Sequence, residues 1–151
     1  MTINTTNFGE LDVSPEQIIR VEAGLLGLED HTEFVLVNNA DAGGKIPFWW
    51  LQSCKDPDTA FVVTIPFLFE KGYEVDIPDD IVRVLGIKNE EEVAIYSICK
   101  IVDKFEDMTI NLKSPVILNA TNNRAMQIVM HESAYEVDEP AIKKYRKYFT
   151  K

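Results

Sequence analysis

Short segments in which apolar and polar residues alternate are the dominant pattern along this chain. Apolar residues alternate with charged ones over positions 10–13 and 19–22, and positions 34–37 are apolar throughout. A period of two places the apolar side chains on one face of a β-strand. Runs of the same kind, bounded by proline, glycine or asparagine, predict further strands at 48–53, 61–65, 93–101, 116–120 and 125–131. The chain is therefore predicted to be mainly β.

Two segments have helical spacing instead. Pro78 suits a first helical turn, the aspartates that follow it favour the helix dipole, and Gly86 suits the position after a helix C-terminus. Near the end of the chain, Pro140 precedes apolar residues that recur on one helical face opposite five basic residues. These apolar residues are Ala141, Ile142, Tyr145, Tyr148 and Phe149. This spacing predicts a second, amphipathic helix.

The predicted fold is therefore all-β, mainly antiparallel, and shaped like a small barrel or roll with one or two short helices. At 151 residues the chain is long enough to bury a core of its own as one domain. We expect a β domain over residues 1–138, followed by a basic amphipathic helix or tail over residues 139–151. On its own the protein is expected to be a monomer.

Two adjacent tryptophans lie in the predicted strand 48–53. Neighbouring strand positions face opposite ways, so Trp49 and Trp50 should point in opposite directions and differ clearly in burial. The turn Asp56-Pro57-Asp58 then leads into the next strand and closes a central hairpin. The tryptophan outside the core is either covered by the C-terminal helix or exposed as an anchor for a protein partner.

Charge is distributed unevenly along the chain. The formal net charge is −10, yet five of the 15 basic residues lie in the last nine positions. Residues 1–142 therefore hold ten basic against 25 acidic residues, a net charge of −15. An anionic body of this kind repels nucleic acid and favours a basic protein as partner. The chain also has no N-terminal leader pattern and no apolar run long enough to span a bilayer, so we expect a cytoplasmic protein that does not bind membranes.

The sequence holds little catalytic chemistry. Its two histidines, His31 and His131, lie in no recognised nucleophile or metal motif. A nucleophilic pairing of Cys54 with His131 is possible on paper, but a cysteine inside a strand is more often a small core residue. The short Cys and His spacings of zinc sites are absent, and the acidic run 90–92 lacks a calcium-binding loop pattern. We therefore expect no catalytic residues, no metal and no cofactor.

Acidic residues form one candidate recognition site. Glu74 and Asp76 alternate with Val75 and Ile77 just before the helix that starts near Pro78, so both carboxylates should emerge on one side. Glu70 lies nearby in the sequence. The segment is either a solvated strand face or a binding site for a basic partner. With the possible anchor Trp49, the candidate partner-binding residues are Glu70, Glu74, Asp76 and Trp49.

Several segments together resemble one protein family, the FliW flagellar assembly factors. They are FGELDV, GLLGLEDHTEFVLV, FWWLQSCKDPDTAFVVTIPFLF, YEVDIPDDIVRVLGI and FEDMTINLKSPVILNATNNRAMQIV. The resemblance covers about residues 2–132, with the segments in the family's order and spacing. Many members have a more basic, glycine-containing turn where this chain has residues 122–127, and the basic tail from Pro140 onward lies beyond the matching region.

The resemblance implies a small β-barrel-like fold and a role without catalysis. The resemblance also implies that the protein binds the translational regulator CsrA and flagellin, so that newly made flagellin would release CsrA to repress flagellin messenger RNA. The family pattern favours Trp50 as the core tryptophan. An alternative function is binding of a small ligand inside the barrel, which requires a sizeable cavity with convergent polar groups. An enzyme of unknown class is the other alternative.

Overall fold

The computed structural model describes residues 1–38, 48–100, 107–131 and 133–137. Within these ranges the chain forms ten strands and one α-helix. The strands are β1 (Thr2–Thr5), β2 (Gly9–Asp12), β3 (Ile19–Val21), β4 (Glu33–Asn38), β5 (Phe48–Ser53), β6 (Ala60–Thr64), β7 (Val93–Lys100), β8 (Thr109–Ile110), β9 (Val116–Asn119) and β10 (Arg124–Gln127); the helix is α1 (Asp79–Leu85). Short 3-10 turns lie at Pro15–Gln17, Pro66–Leu68 and Glu90–Glu92. The predicted C-terminal helix at 139–151 lies outside the described residues.

Seven of these strands close into a barrel in the order β3, β4, β5, β6, β7, β9, β10 and back to β3. Neighbouring strands run antiparallel except β3 and β10, which are parallel and pair Val21 with Ala125. The short strand β8 pairs with the end of β7, and β1 and β2 form a separate hairpin. This arrangement confirms the prediction of a mainly antiparallel, barrel-like β fold.

Strand boundaries match the sequence pattern closely in the centre of the chain and less well near its ends. The strand predicted at 48–53 is confirmed, whereas the one predicted at 125–131 ends at Gln127. Beyond Gln127 the chain still runs beside residues 113–115, since Ile128 and Met130 donate backbone hydrogen bonds to Pro115 and Lys113. Pro115 has no N–H to return, so the regular ladder stops there. The patterns did not predict β1 and β8.

The interior of the barrel is apolar and nearly filled. Its lining residues are Ile19, Val21, Leu36, Leu51, Val63, Tyr96, Val116, Leu118 and Ala125. The void between them measures about 10 Å³, which is near the least volume that one water molecule requires. The described part of the barrel therefore offers no internal chamber for an organic ligand.

The two tryptophans face opposite ways, as predicted, but the tryptophan that faces the barrel interior is Trp49 and not Trp50. Trp49 lies opposite Val63 and packs with the barrel interior, while Trp50 lies opposite Val62 on the outer face. Both side chains are half-buried. The expected clear difference in burial, with Trp50 in the core, is therefore wrong. The reason is that the outer face is also covered, since the ring of Phe8 packs edge-on against Trp50 at 5.8 Å.

Helix α1 confirms the predicted start and end signals. Pro78 occupies the position just before the first helical residue, and Gly86 follows the last one with a φ of +68°, a left-handed conformation that suits glycine. The side-chain amides of Asn119 and Asn122 donate hydrogen bonds of 2.8 and 3.0 Å to the carbonyl oxygen of Leu85. The Leu85 side chain is fully buried on the outer face of β9. These contacts fix the helix, and with it the segment that precedes Pro78, against the barrel.

A candidate partner-binding groove

The acidic segment before helix α1 is held in place by a buried cluster on the outer face of β5, β6 and β7. Phe69 and Tyr73 belong to this cluster, and the Tyr73 hydroxyl donates a hydrogen bond of 2.6 Å to the carbonyl oxygen of Leu112. Burial, together with the neighbouring Tyr135, raises the pKa of Tyr73 well above its usual range, so its hydroxyl stays protonated and donating. The cluster therefore anchors the start of the segment that leads to Glu74.

Residues 74–78 belong to no helix or strand and alternate in exposure, as the sequence predicted. Glu74 and Asp76 are exposed, whereas Val75 and Ile77 are half-buried and pack against the core clusters beside α1. This alternation places both carboxylates on the outer side of the segment. Glu70 lies at the base of the segment, where its carbonyl oxygen accepts a hydrogen bond from the Tyr73 backbone N–H.

Glu74 and Asp76 form one wall of an open groove of about 800 Å³. The other lining residues are Pro78, Ile128, Val129, Met130, His131, Ser133, Ala134 and Tyr135. The Tyr135 ring packs against Tyr73 at 4.8 Å, and its hydroxyl donates a hydrogen bond to the carbonyl oxygen of Gly72. The far wall of the groove is therefore tied to the acidic segment, and the floor between them is largely apolar.

The groove presents negative charge without a matching cation among the described residues. The salt bridges found within the described ranges join Arg20 to Glu33 and Arg124 to Glu22, and neither reaches the groove. An open groove with two carboxylates over an apolar floor suits a basic, amphipathic partner, because such a partner can bury apolar surface and pair its charges at the rim.

The structure brings together two of the four predicted site residues. Glu74 and Asp76 share the groove, while Glu70 does not line it. Trp49 faces the barrel interior, with its ring edge-on to Tyr96 at 6.2 Å, so a role for Trp49 in partner binding stays a prediction. The sequence patterns missed the wall that residues 128–131 and 133–135 form. The local signal there is an apolar run, which the pattern predicts as part of a strand at 125–131.

Groups with catalytic potential are dispersed. Cys54 packs with the hairpin of β1 and β2, whereas His131 lines the groove, so the two residues belong to separate sites. The described residues contain no group of three or more histidine, cysteine or acidic side chains arranged to hold a metal ion. None of the helices in the described ranges is long and apolar enough to cross a membrane.

Both thiols are poor nucleophiles. Burial and the negative charge of Glu33 raise the pKa of Cys54, and burial raises the pKa of Cys99 to about 12. A raised pKa lowers the thiolate fraction at neutral pH. We expect Ellman's reagent to label Cys54 more slowly than free cysteine, with a rate that rises with pH, and to label the buried Cys99 only after unfolding. A Cys54→Ser variant retains only Cys99 and so isolates its signal. Labelling of Cys99 in the native protein at the same rate as Cys54 would contradict this expectation.

Comparison with known proteins gives a consistent result. The FliW protein family matches residues 2–142 of this chain. The flagellar assembly factor FliW of Alkaliphilus metalliredigens is 31% identical over 147 residues, which cover 97% of this chain and 90% of that protein. The FliW of Bacillus subtilis is 35% identical over 140 residues, which cover 93% of this chain and 96% of that protein.

A solved structure shares the fold. The crystal structure of a flagellar assembly factor FliW matches with a TM-score of 0.86 and 30% identity, over 93% of this chain and 96% of that one. The sequence match therefore extends over the β barrel, the helix and the groove-forming segments together. The chain belongs to the FliW family of flagellar assembly factors.

Proposed function

We propose that this protein is a cytoplasmic binding protein without catalytic activity, which binds a CsrA-type translational regulator and also flagellin. Binding holds CsrA away from flagellin messenger RNA, and newly made flagellin displaces CsrA so that repression resumes. The family role of flagellar assembly factor supports this proposal. The observation that supports it most directly is the groove in which Glu74 and Asp76 stand beside an apolar floor.

Charge complementarity favours CsrA as the partner of this groove. A regulator that binds RNA must present a cationic surface, because phosphate contacts dominate RNA affinity. Residues 1–142 hold a net charge of −15, so the body attracts such a surface over long distances and accelerates association. The groove then supplies the local contacts that a diffuse field cannot provide.

The distribution of acidic residues favours binding beside the RNA site of CsrA. A protein that imitates RNA would present a line of carboxylates at the spacing of phosphates. Among the residues that the structure describes, the groove contributes only the carboxylates of Glu74 and Asp76, and the other acidic residues are spread along the chain. A bound anionic body adjacent to the RNA site would repel RNA without occupying its place, and such coupling is typically about 1–3 kcal/mol.

Binding of a small ligand inside the barrel is the weaker alternative. A ligand site of this kind commonly measures about 300–1,000 Å³ and carries convergent polar groups. The interior void measures about 10 Å³ and is lined by apolar side chains together with Tyr96. The small volume of the described barrel interior therefore favours partner binding on the outer surface over ligand binding inside the barrel.

Affinity capture from a flagellated bacterium tests the proposal. The full chain is tagged and used as bait, and bound proteins are identified by mass spectrometry. We expect CsrA and flagellin to be enriched over a tag-only control, and CsrA to be depleted when the bait carries Glu74→Lys and Asp76→Lys. Recovery of neither protein above the control would contradict the proposed function.

A further inference from the structure

The apolar floor of the groove is a surface without a cover among the described residues. Ile128 is buried, but Met130 and Tyr135 are only half-buried, and Ala134 is exposed. Contiguous apolar surface bordered by charged residues commonly marks a site that binds another segment or protein. The acidic wall formed by Glu74 and Asp76 restricts the choice, because it favours an occupant that carries positive charge.

The chain itself supplies a segment with these properties next to the groove. The far wall ends at Tyr135, and the last described residue, Val137, is 47% exposed. The 14 residues that follow, 138–151, contain two acidic and five basic residues. Their sequence also carries Ile142, Tyr145 and Tyr148 at helical spacing. The segment therefore combines a basic and an apolar character, and it starts three positions after the groove residue Tyr135 in the sequence.

We propose that residues 138–151 dock into this groove and mask it, so that CsrA must displace them in order to bind. The basic side chains would pair with Glu74 and Asp76, and the apolar residues would cover Met130 and Tyr135. The docking itself depends only on the groove and the segment. Its regulatory consequence rests on the proposed function.

The short connection makes even weak docking effective. A segment tethered a few residues from its site has an effective concentration of the order of 1 mM. A dissociation constant of about 0.1 mM would then leave the groove about 90% masked and lower the apparent affinity of a competing partner about tenfold. A second copy of the chain could offer the same segment only at its much lower bulk concentration.

The four methionines provide a direct readout of docking in the full-length protein. Met130 lines the groove, whereas Met108 is buried in the cluster that contains Phe69 and lies outside the groove lining. We would record methyl NMR spectra of protein labelled with [13C-methyl]methionine. The wild type is compared with a tail variant that carries Lys143→Gln, Lys144→Gln, Arg146→Gln and Lys147→Gln.

We expect the tail variant to shift the Met130 methyl resonance and to leave that of Met108 in place. The same tail substitutions should shift Met130 much less when the groove already carries Glu74→Gln and Asp76→Asn. Glu10→Gln with Asp12→Asn is the matched control, because it removes two exposed carboxylates at the same spacing on β2, and there the full shift should persist. An unchanged Met130 resonance, or an equal shift in all three backgrounds, would overturn the docking. A shift that disappears on dilution would assign the segment to a second copy and would also overturn it.

Isothermal titration of CsrA then tests the masking. The tail variant should bind CsrA several-fold more tightly than the wild type, since no competing segment must be displaced. Equal or weaker binding by the tail variant would overturn the masking even if the Met130 shift is present. If neither the wild type nor the tail variant binds CsrA, the proposed function fails. The Met130 resonance still decides whether the segment docks.

Discussion

Replacing Phe69 by alanine is expected to lower the free energy of unfolding by about 3–5 kcal/mol, because it leaves a cavity in a closely packed cluster. The Phe69 side chain is 0% exposed and packs against Phe48 with ring centroids 5.6 Å apart. Denaturation in urea, followed by tryptophan fluorescence, measures the change.

Phe67 provides the matched control for this substitution. It lies two residues earlier in the same turn but is 40% exposed, so Phe67→Ala should cost about 1 kcal/mol or less. A loss of about 1 kcal/mol or less from Phe69→Ala as well would mean that the cluster around Phe69 does not stabilise the outer face of the barrel. In that case the anchoring of the acidic segment through Tyr73 would also lose its physical basis.

Reversing both groove charges, with Glu74→Lys and Asp76→Lys, is expected to weaken CsrA binding about tenfold or more at low ionic strength. Like charges would then face each other across the interface, and association would lose part of its electrostatic steering. Both side chains are exposed, so the free energy of unfolding should change by less than about 0.5 kcal/mol. Surface plasmon resonance at several salt concentrations separates the association rate from the dissociation rate.

The matched variant for this prediction carries Glu10→Lys and Asp12→Lys on the β1–β2 hairpin. It makes the same change in net charge on another surface, so it removes the same amount of general attraction. We expect it to weaken binding much less than the groove variant. If the two variants lose the same affinity, the attraction comes from the overall charge and the groove is not the binding site.

Local sequence patterns were sufficient to predict the strands and the helix whose positions depend on nearby residues. The period of two located β5, and the proline, aspartates and glycine around α1 located both ends of the helix. Each of these signals acts within a few residues of the chain. The barrel-like fold followed from the number and spacing of such strands.

The orientation of the two tryptophans could not be predicted from such local patterns. A period of two shows that Trp49 and Trp50 face opposite sides, but it does not show which side is the interior. On this barrel both sides are covered, the inner by neighbouring strands and the outer by Phe8 and the cluster around Phe69. Both tryptophans are therefore half-buried, and their burial depends on contacts distant in sequence.

Only one wall of the candidate groove could be predicted from the sequence. Glu74 and Asp76 stand out because exposed acidic residues alternate with apolar ones over a short segment. The opposite wall, which residues 128–131 and 133–135 line, lies more than 50 positions later and has no comparable periodicity. It becomes a wall only because β9, β10 and α1 pack together, and no local pattern encodes that packing.

The proposed binding of CsrA in this groove, beside the RNA site of CsrA, is tested most directly by a titration of CsrA with flagellin messenger RNA. The RNA affinity is measured at several fixed concentrations of this protein. We expect the apparent affinity to fall and then level off about 5–150-fold below its starting value as the protein saturates CsrA. An affinity that keeps falling in proportion to added protein would show direct competition for the RNA site, and an unchanged affinity would show that the protein does not act on RNA binding by CsrA.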